Sequence, residues 1–275
     1  MQQTQTHSFF KTITIKGLHA ACAPFATRLI DELAYEGQDV RSTIANDLRQ
    51  AVNKTNACIL DLCCGVGMST RALAAAFQDA HFIYGIDTSP EMIAMARYIT
   101  VNNGALDAMG GIVNGHGPDF ATSFIKLCME IRNTASGFTN YPNCLYAIGN
   151  AERILCPKRK FDLVTIMYAF HEIPYSARYR ILREARRLLA PGGILAIVDI
   201  CPEGYSPSPS MLAGEPYVLE YQQNIERQIA RFRGFHSLEG KEVVPGLLKM
   251  WTLTRSPTLS RERGTILSES RLEFE

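Results

Sequence analysis

The sequence has no excess of charge of either sign and no long apolar run. Its 28 basic and 27 acidic residues give a net charge of +1, and no stripe of Lys and Arg marks a nucleic-acid-binding face. Charged residues interrupt every apolar run before the roughly 18 residues that a membrane span needs, and the first residues do not form a secretory signal. We therefore expect no nucleic-acid partner, no membrane partner and a cytoplasmic location.

The cysteines also lack the spacing of a metal site. None of the eight forms a Cys-x-x-Cys pair, and several stand inside apolar runs. This pattern is typical of buried free thiols in a reducing compartment. We expect no metal.

The most informative stretch spans residues 58–87. An apolar run ends at Asp61, a turn containing Gly65 and Gly67 follows, and after a helical segment a second apolar run ends at Asp87. This order predicts a strand, a turn, a helix and a second strand. Because ligands of open α/β sheets bind at the carboxyl ends of the strands, the two acids and the turn indicate a nucleoside-binding site.

Two kinds of nucleoside ligand are compatible with such a unit. A dinucleotide site requires Gly-x-Gly-x-x-Gly, but Thr70 stands at the third glycine and Asp61 would repel a pyrophosphate. Asp61 would instead attract an ammonium group, while Asp87 lies at the distance from the turn that suits a ribose. S-adenosylmethionine has a ribose and an ammonium but no phosphate, so it is the better candidate, and an NAD-dependent oxidoreductase is disfavoured.

The turn resembles the first motif of class I S-adenosylmethionine-dependent methyltransferases. That motif is acid-x-Gly-x-Gly-x-Gly, and this chain matches it from Asp61 to Gly67 except at the first glycine, which is replaced by Cys63. Segments similar to four further family motifs follow in the family's order: Asp87–Met92, Gly149–Glu152, Phe161–Tyr168 and Ala190–Asp199. The resemblance covers roughly residues 24–199.

The resemblance implies an α/β fold. We expect a Rossmann-like seven-stranded sheet with helices on both faces and an antiparallel last strand. The expected organisation is an N-terminal helical cap at 1–56, a methyltransferase domain at 57–256 with an insertion at 102–143, and a polar C-terminal tail at 257–275. Apolar spacing predicts helices at 41–53, at 119–132 inside the insertion and at 215–233. Two closing strands are predicted at 239–244 and 247–254.

The matched motifs imply which residues hold the cofactor. Asp87 is expected to bind the ribose, and Asn150 stands where the family has an Asp beside the adenine; an amide can still accept a hydrogen bond. Tyr168 is expected either at the cofactor or in the core. The full set of expected cofactor residues is Asp61, Cys63, Gly65, Gly67, Asp87, Thr88, Met92, Asn150, Ala151 and Tyr168.

His171 and Glu172 follow the predicted fourth strand and are the candidate catalytic residues. Methyl transfer mainly requires alignment of the acceptor and exclusion of water, and a base is needed only when the acceptor must lose a proton. A neutral imidazole at position 171 could accept that proton near pH 7. The alternative is a structural histidine, with Glu172 at the start of a helix.

The acceptor is expected to lie against Tyr217 and Tyr221, which are four residues apart and so share a helix face, with Glu215 and the N-terminal Phe25 beside them. Ordinary core packing is the alternative for the tyrosines. The sequence thus predicts methyl transfer from S-adenosylmethionine to a small molecule, by a monomer or a homodimer. A catalytically silent S-adenosylmethionine-binding module remains open, as does the choice of N, O, S or C as the methylated atom.

Overall fold

The computed structural model describes residues 34–101, 141 and 143–257, together with positions 23, 24 and 27. Four predictions therefore lie outside the described residues, wholly or in large part. They concern the acceptor contact of Phe25, the start of the N-terminal cap, the insertion with its helix at 119–132, and the C-terminal tail.

Strands and helices alternate along the described chain. The strands are β1 (Cys58–Leu62), β2 (Phe82–Asp87), β3 (Cys144–Ile148), β4 (Phe161–Met167), β5 (Leu189–Ile200), β6 (Phe235–Val244) and β7 (Leu248–Arg255). The helices are α1 (Val40–Val52), α2 (Met68–Ala76), α3 (Pro90–Val101), α4 (Tyr175–Leu188), α5 (Pro209–Gly214) and α6 (Val218–Ala230). A short 3-10 turn, Phe170–Glu172, follows β4.

The strands form one seven-stranded sheet in the order β3-β2-β1-β4-β5-β7-β6. The first five are parallel, and β7 runs antiparallel to both β5 and β6. The predicted Rossmann-like sheet with an antiparallel last strand is confirmed. After β1 the chain moves outward to β2 and β3 and then returns to β4 on the other side of β1, so a topological switch point lies between β1 and β4.

Helices cover both faces of the sheet, which explains why the central strands are apolar at nearly every position. In β1, Leu60 and Leu62 pack with side chains of α4 and α6. Ile59 points to the other face and packs with Ile44 of α1 and Leu73 of α2. The described part of the predicted N-terminal cap therefore shares a core with the sheet.

The helix predicted at 41–53 is α1, which ends where Asn53 adopts a left-handed conformation with φ 39°. The helix predicted at 215–233 is α6, which spans only Val218–Ala230. An additional helix, α5, precedes it. Ser208 caps α5 by accepting a hydrogen bond from the Met211 N–H at 3.2 Å. At the end of α5 the N–H of Glu215 donates to the Met211 carbonyl at 2.8 Å, so Glu215 stands at the junction of α5 and α6.

None of the helices in the described residues is both long enough and apolar enough to span a membrane.

Candidate functional site

The turn between β1 and α2 is built from backbone conformations that favour glycine. Cys63, Gly65 and Gly67 have φ values of 58°, 53° and 74°. Left-handed backbone disfavours residues that carry a Cβ by roughly 1–2 kcal/mol, which explains the family's preference for glycine here. Cys63 has left-handed backbone although it carries a Cβ, so this cysteine adds to the energy of the turn.

Tyr146 of β3 packs beneath this turn, which the sequence did not predict. A Cβ on Gly67 would lie 2.5 Å from Tyr146 Oη, and one on Gly85 of β2 would lie 2.7 Å from Tyr146 Cδ1. The ring is buried, and its hydroxyl accepts a hydrogen bond from Thr100 Oγ1 at 3.1 Å. The two glycines thus leave the space that the tyrosine fills, and the tyrosine supports the turn from below.

Asp87 ends β2, and the backbone fixes its carboxylate beside the turn. Oδ2 accepts the N–H of Gly65 and Oδ1 accepts the N–H of Ser89, each at 2.9 Å. Ser89 in turn caps α3, because its Oγ accepts the Met92 N–H at 3.2 Å. Each carboxylate oxygen of Asp87 can still accept a further hydrogen bond.

Asp61 is buried at the switch point. Its Oδ2 accepts a hydrogen bond from Thr70 Oγ1 of α2 at 2.6 Å, and its Oδ1 accepts one from Thr165 Oγ1 of β4 at 2.7 Å. Burial raises the pKa of Asp61 to about 6, against the opposing effect of the two hydroxyls. The carboxylate therefore ties the start of α2 to β4.

Arg41 connects α1 to the same region, although sequence reasoning did not single it out. Its Nη1 donates to Ser69 Oγ in the first turn of α2 at 2.8 Å. Its guanidinium carbon lies 4.1 Å from the centre of the Tyr168 ring. Tyr168 follows β4 directly and also has a left-handed backbone, with φ 57°. The helical cap thus reaches the carboxyl edge of the sheet through one arginine.

The loop after β3 joins this edge as well. The N–H of Gly149 donates to the Asp87 carbonyl at 2.9 Å, and Asn150 Oδ1 accepts the N–H of Glu152 at 2.8 Å. Met92 packs against the buried cluster that contains Val66. The structure therefore brings the sequence-predicted cofactor residues to the carboxyl edge of β1–β4: Asp61, Cys63, Gly65, Gly67, Asp87, Thr88, Met92, Asn150, Ala151 and Tyr168.

His171 lies in the 3-10 turn after β4 and is held by Asp199 of β5. Its Nδ1 is 2.5 Å from Asp199 Oδ1, and its backbone N–H donates to Asp199 Oδ2 at 3.1 Å. Asp199 is fully buried and also accepts the N–H of Ile200. Burial by itself would lower the pKa of His171, but Asp199, with smaller contributions from Glu172 and Glu215, raises the pKa to about 9. This differs from the neutral imidazole expected near pH 7, because the buried carboxylate stabilises the charged ring.

Two further carboxylates face the other side of the imidazole. His171 Nε2 lies 3.7 Å from Glu172 Oε1 and 3.4 Å from Glu215 Oε2. Glu215 reaches this position from the junction of α5 and α6, 44 residues along the chain. Burial raises the pKa of Glu215. His171, Glu172 and Glu215 thus form one cluster.

The two predicted acceptor tyrosines differ in their surroundings. Tyr221 is fully buried, its hydroxyl donates to the Ile200 carbonyl at 2.9 Å, and its ring meets the His171 ring edge-on. Tyr221 therefore packs in the core that supports His171, and its contact with an acceptor stays a prediction. Tyr217 precedes α6 and is 37% exposed, so its contact with an acceptor stays a prediction.

Comparison with known proteins identifies the family. Residues 35–232 match the family model described as a methyltransferase domain. The chain belongs to this family. S-adenosylmethionine is the cofactor that this family implies, and the recognition based on the sequence motifs is confirmed.

Curated relatives of this methyltransferase match part of their own length. An uncharacterized methyltransferase of Synechocystis sp. is 28% identical over 142 residues, which are 52% of this chain and 46% of the relative. The 2-phytyl-1,4-naphtoquinone methyltransferase of Thermosynechococcus vestitus is 27% identical over 188 residues, 67% of this chain and 64% of the relative. The chain thus spans less than two thirds of the length of each.

A solved structure shares the fold of this methyltransferase. It is a chain of the complex between the Haloferax volcanii Trm112 methyltransferase activator and a candidate methyltransferase. The match has a TM-score of 0.51 and 15% identity, and it covers 88% of this chain and 97% of that chain.

The residues of the methyltransferase site fit the cofactor. A Cβ on Gly65 would have no neighbour within 4 Å, so the space beside the turn is open to a ligand. The carboxylates of Asp61 and Asp87 surround the turn with negative charge, which suits a cationic ligand better than a phosphate. The cofactor deduced from the sequence is therefore compatible with the geometry.

The buried carboxylate of Asp61 gives a prediction on pH. Because its folded-state pKa of about 6 exceeds its unfolded value, its contribution to stability is complete below about pH 4 and is lost as the pH rises through about 6. In Asp61→Asn this loss is absent. We expect the unfolding free energy of the wild type, relative to the variant, to fall by about 2 kcal/mol between pH 4 and pH 7. Urea unfolding of both proteins measures this difference, and a difference independent of pH would contradict the prediction.

Proposed function

We propose that this methyltransferase transfers a methyl group from S-adenosylmethionine to a small molecule and releases S-adenosylhomocysteine. The observation that supports the proposal best is the Asp87 carboxylate, which two backbone N–H groups fix beside an open glycine turn at the switch point of the sheet. When bound there, S-adenosylmethionine supplies an already activated methyl group. The protein then has to bind it, orient the acceptor and exclude water.

In this proposal Asp87 binds the ribose hydroxyls, since a carboxylate can accept two hydrogen bonds side by side. Asp61 acts on the aminoacyl ammonium through its negative charge, and because its carboxylate is buried behind Thr70 and Thr165, we place the ammonium at a distance from it. The adenine lies against Asn150 and Ala151. The remaining proposed cofactor contacts are Cys63, Gly65, Gly67, Thr88, Met92 and Tyr168.

His171 and Glu172 lie on the acceptor side in this proposal. They follow β4, the strand next to β1 at the switch point, and His171 is held rigidly by Asp199. An acceptor that carries an exchangeable proton fits such a cluster of proton-binding groups. Tyr217 is the exposed residue on the same side that we assign to the acceptor.

Two observations support a small-molecule acceptor. One relative is named for a naphtoquinone that it methylates, and the net charge of +1 provides little attraction for nucleic acid. The free thiols of the described residues suit a reducing compartment, so we propose that the protein acts in the cytoplasm, as a monomer or a homodimer.

Substitution of Asp87 tests the cofactor site. We expect Asp87→Ala to weaken S-adenosylmethionine binding at least tenfold, or by about 1.4 kcal/mol, because the ribose loses a charge-assisted acceptor. Isothermal titration of the folded variant measures the change, and titration of the wild type with NAD tests the oxidoreductase alternative.

Asp162→Ala is the matched control. Asp162 also accepts a backbone N–H, that of Cys58 at 2.9 Å, and it pairs with Lys54, but it lies at the opposite edge of the sheet. We expect its loss to affect stability and to leave cofactor affinity unchanged. Equal affinities for the wild type and Asp87→Ala would refute the proposed site.

Turnover distinguishes an enzyme from a binding module. Release of S-adenosylhomocysteine with a panel of metabolites, and its absence with bulk RNA, DNA and histone-like protein, is the expected result. Cofactor binding without turnover on any acceptor would favour the silent module, and labelling of a macromolecule alone would reverse the proposed acceptor class.

A further inference from the structure

We propose that His171, Glu172 and Glu215 bind a divalent transition-metal ion, with Zn²⁺ the best fit. This departs from the expectation of no metal, which rested on the spacing of the cysteines. The binding of the ion is independent of the proposed function, whereas the role assigned to it below rests on that function.

The distances between the three donor atoms suit a single ion. Zinc lies about 2.0–2.2 Å from imidazole nitrogen and carboxylate oxygen, so two ligands at a tetrahedral angle are about 3.4 Å apart. The separations from His171 Nε2 are 3.4 Å to Glu215 Oε2 and 3.7 Å to Glu172 Oε1, and each of the three residues offers one donor atom within 4.8 Å of those of the other two. Tetrahedral coordination therefore requires only a small rotation of the two glutamates.

The imidazole ring of His171 is already held in an orientation that suits a metal ligand. Its side chain is only 9% exposed, and its Nδ1 is anchored to the fully buried Asp199. A metal-binding histidine usually directs its second ring nitrogen to a carboxylate in this way, which fixes the ring and leaves the other nitrogen for the ion. Among the described residues no hydrogen bond satisfies Nε2, which points into the gap between the two glutamates.

Glu215 provides a second observation that points to a ligand. Its Oε2 is shielded from solvent and has no hydrogen-bond partner in the described part of the chain. A buried carboxylate oxygen without a partner is costly, and a 3.4 Å separation from Nε2 is too long for a good hydrogen bond. An ion between the two atoms satisfies both of them, because each contributes a lone pair to it.

The charges of the cluster agree with a cation. Three carboxylates, those of Asp199, Glu172 and Glu215, lie within 4 Å of one imidazole. No lysine or arginine of the described residues forms a salt bridge with Glu215. A divalent ion would neutralise the two glutamates, and its binding would displace a proton from Nε2.

Three protein ligands leave the fourth position of a tetrahedral ion open, as in catalytic zinc sites. In the proposed methyltransferase this position would hold the heteroatom of the acceptor, whose pKa the ion lowers so that its proton leaves to solvent. His171 would then act as a ligand instead of accepting the proton itself.

The test is metal binding by the full chain. After treatment with EDTA and dialysis, the protein is titrated with Zn²⁺ by calorimetry and with Co²⁺ by absorption spectroscopy. We expect one ion per chain, with the Co²⁺ bands of tetrahedral nitrogen and oxygen ligands. Sulfur-to-cobalt charge transfer would show that cysteines hold the ion, which would overturn the proposal, as would failure to bind a stoichiometric ion.

Variants locate the site. Glu215→Gln and His171→Asn are expected to weaken Zn²⁺ binding at least tenfold; the asparagine keeps a donor near Asp199 and removes Nε2. Asp199 positions the His171 ring, so Asp199→Asn should weaken Zn²⁺ binding about tenfold to a hundredfold. Glu242→Gln, a control on β6 whose carboxylate accepts the Gly246 N–H, should leave it unchanged. Equal affinity in all four variants, with native circular dichroism, would overturn the proposal.

Titration with S-adenosylmethionine in the same samples separates this proposal from the proposed function. We expect cofactor affinity to be the same with and without the ion. Zinc binding without cofactor binding would refute the proposed function and support the metal site. Cofactor binding without zinc binding would refute the metal site and support the proposed function.

Discussion

Gly67→Ala is expected to destabilise the fold by about 3 kcal/mol, far more than the chemically identical change Gly65→Ala. Both glycines have left-handed backbone, which disfavours alanine by roughly 1–2 kcal/mol. A Cβ at position 67 would in addition lie 2.5–2.8 Å from the hydroxyl oxygen and two ring carbons of Tyr146. Forcing an extra carbon into a packed core typically costs about 1–3 kcal/mol. Urea unfolding of the two variants measures the difference.

Gly65→Ala is the internal control, because its Cβ would meet no atom within 4 Å. The effect of Gly67→Ala should also become smaller in a Tyr146→Leu background, since the clashing ring atoms are then absent. Equal destabilisation by the two glycine substitutions would show that the ring does not support the turn.

His171→Asn is expected to lower turnover about a hundredfold while cofactor affinity changes little, because Nε2 is lost, and with it either the proton acceptor or the ligand of the ion that would lower the pKa of the acceptor. The asparagine amide replaces the donor that faces Asp199, so the buried carboxylate keeps a partner, and Nε2 alone is lost. His171→Ala removes both ring nitrogens and leaves the buried Asp199 carboxylate with backbone N–H partners only, and breaking a buried charged pair in this way costs several kcal/mol. Comparison of the two variants therefore separates chemistry from folding.

His81→Ala is the control for this experiment. His81 is exposed and precedes β2 at the far edge of the sheet, so we expect wild-type turnover. Rates are measured from pH 6 to pH 9 with the acceptor identified by the metabolite panel. A wild-type-like rate of His171→Asn throughout this range would show that His171 only supports the structure.

The sequence predicted the sheet well because its strands are short apolar runs that end in recognisable motifs. The positions of Asp61, Asp87 and His171 at the carboxyl edge follow from that pattern, since parallel strands end on one side. The number of strands and the antiparallel direction of the last one came from the family resemblance, since neither pairing nor direction is encoded in an isolated strand.

The contacts that Glu215 and Asp199 make with His171 could not be predicted from the sequence, because they depend on how distant segments pack. Glu215 meets His171 only because α5 forms in a segment rich in Pro and Ser and turns the chain back toward β4. The role of Asp199 depends on the register of β5 beside β4, which places its carboxylate under the 3-10 turn. Tyr146 was missed because nothing local distinguishes a tyrosine that fills the space above two glycines from any other core aromatic.

The packing of Tyr146 against Gly67 and Gly85 has an evolutionary consequence. The Tyr146 ring occupies the volume that Gly67 and Gly85 leave free. Substitutions at these three positions should therefore be correlated. In homologous chains, a larger residue at position 85 should accompany a smaller one at position 146, while position 67, constrained also by its backbone conformation, should stay glycine. The cofactor turn of such chains would be preserved by compensating substitutions in β2 and β3, which themselves need not contact the ligand.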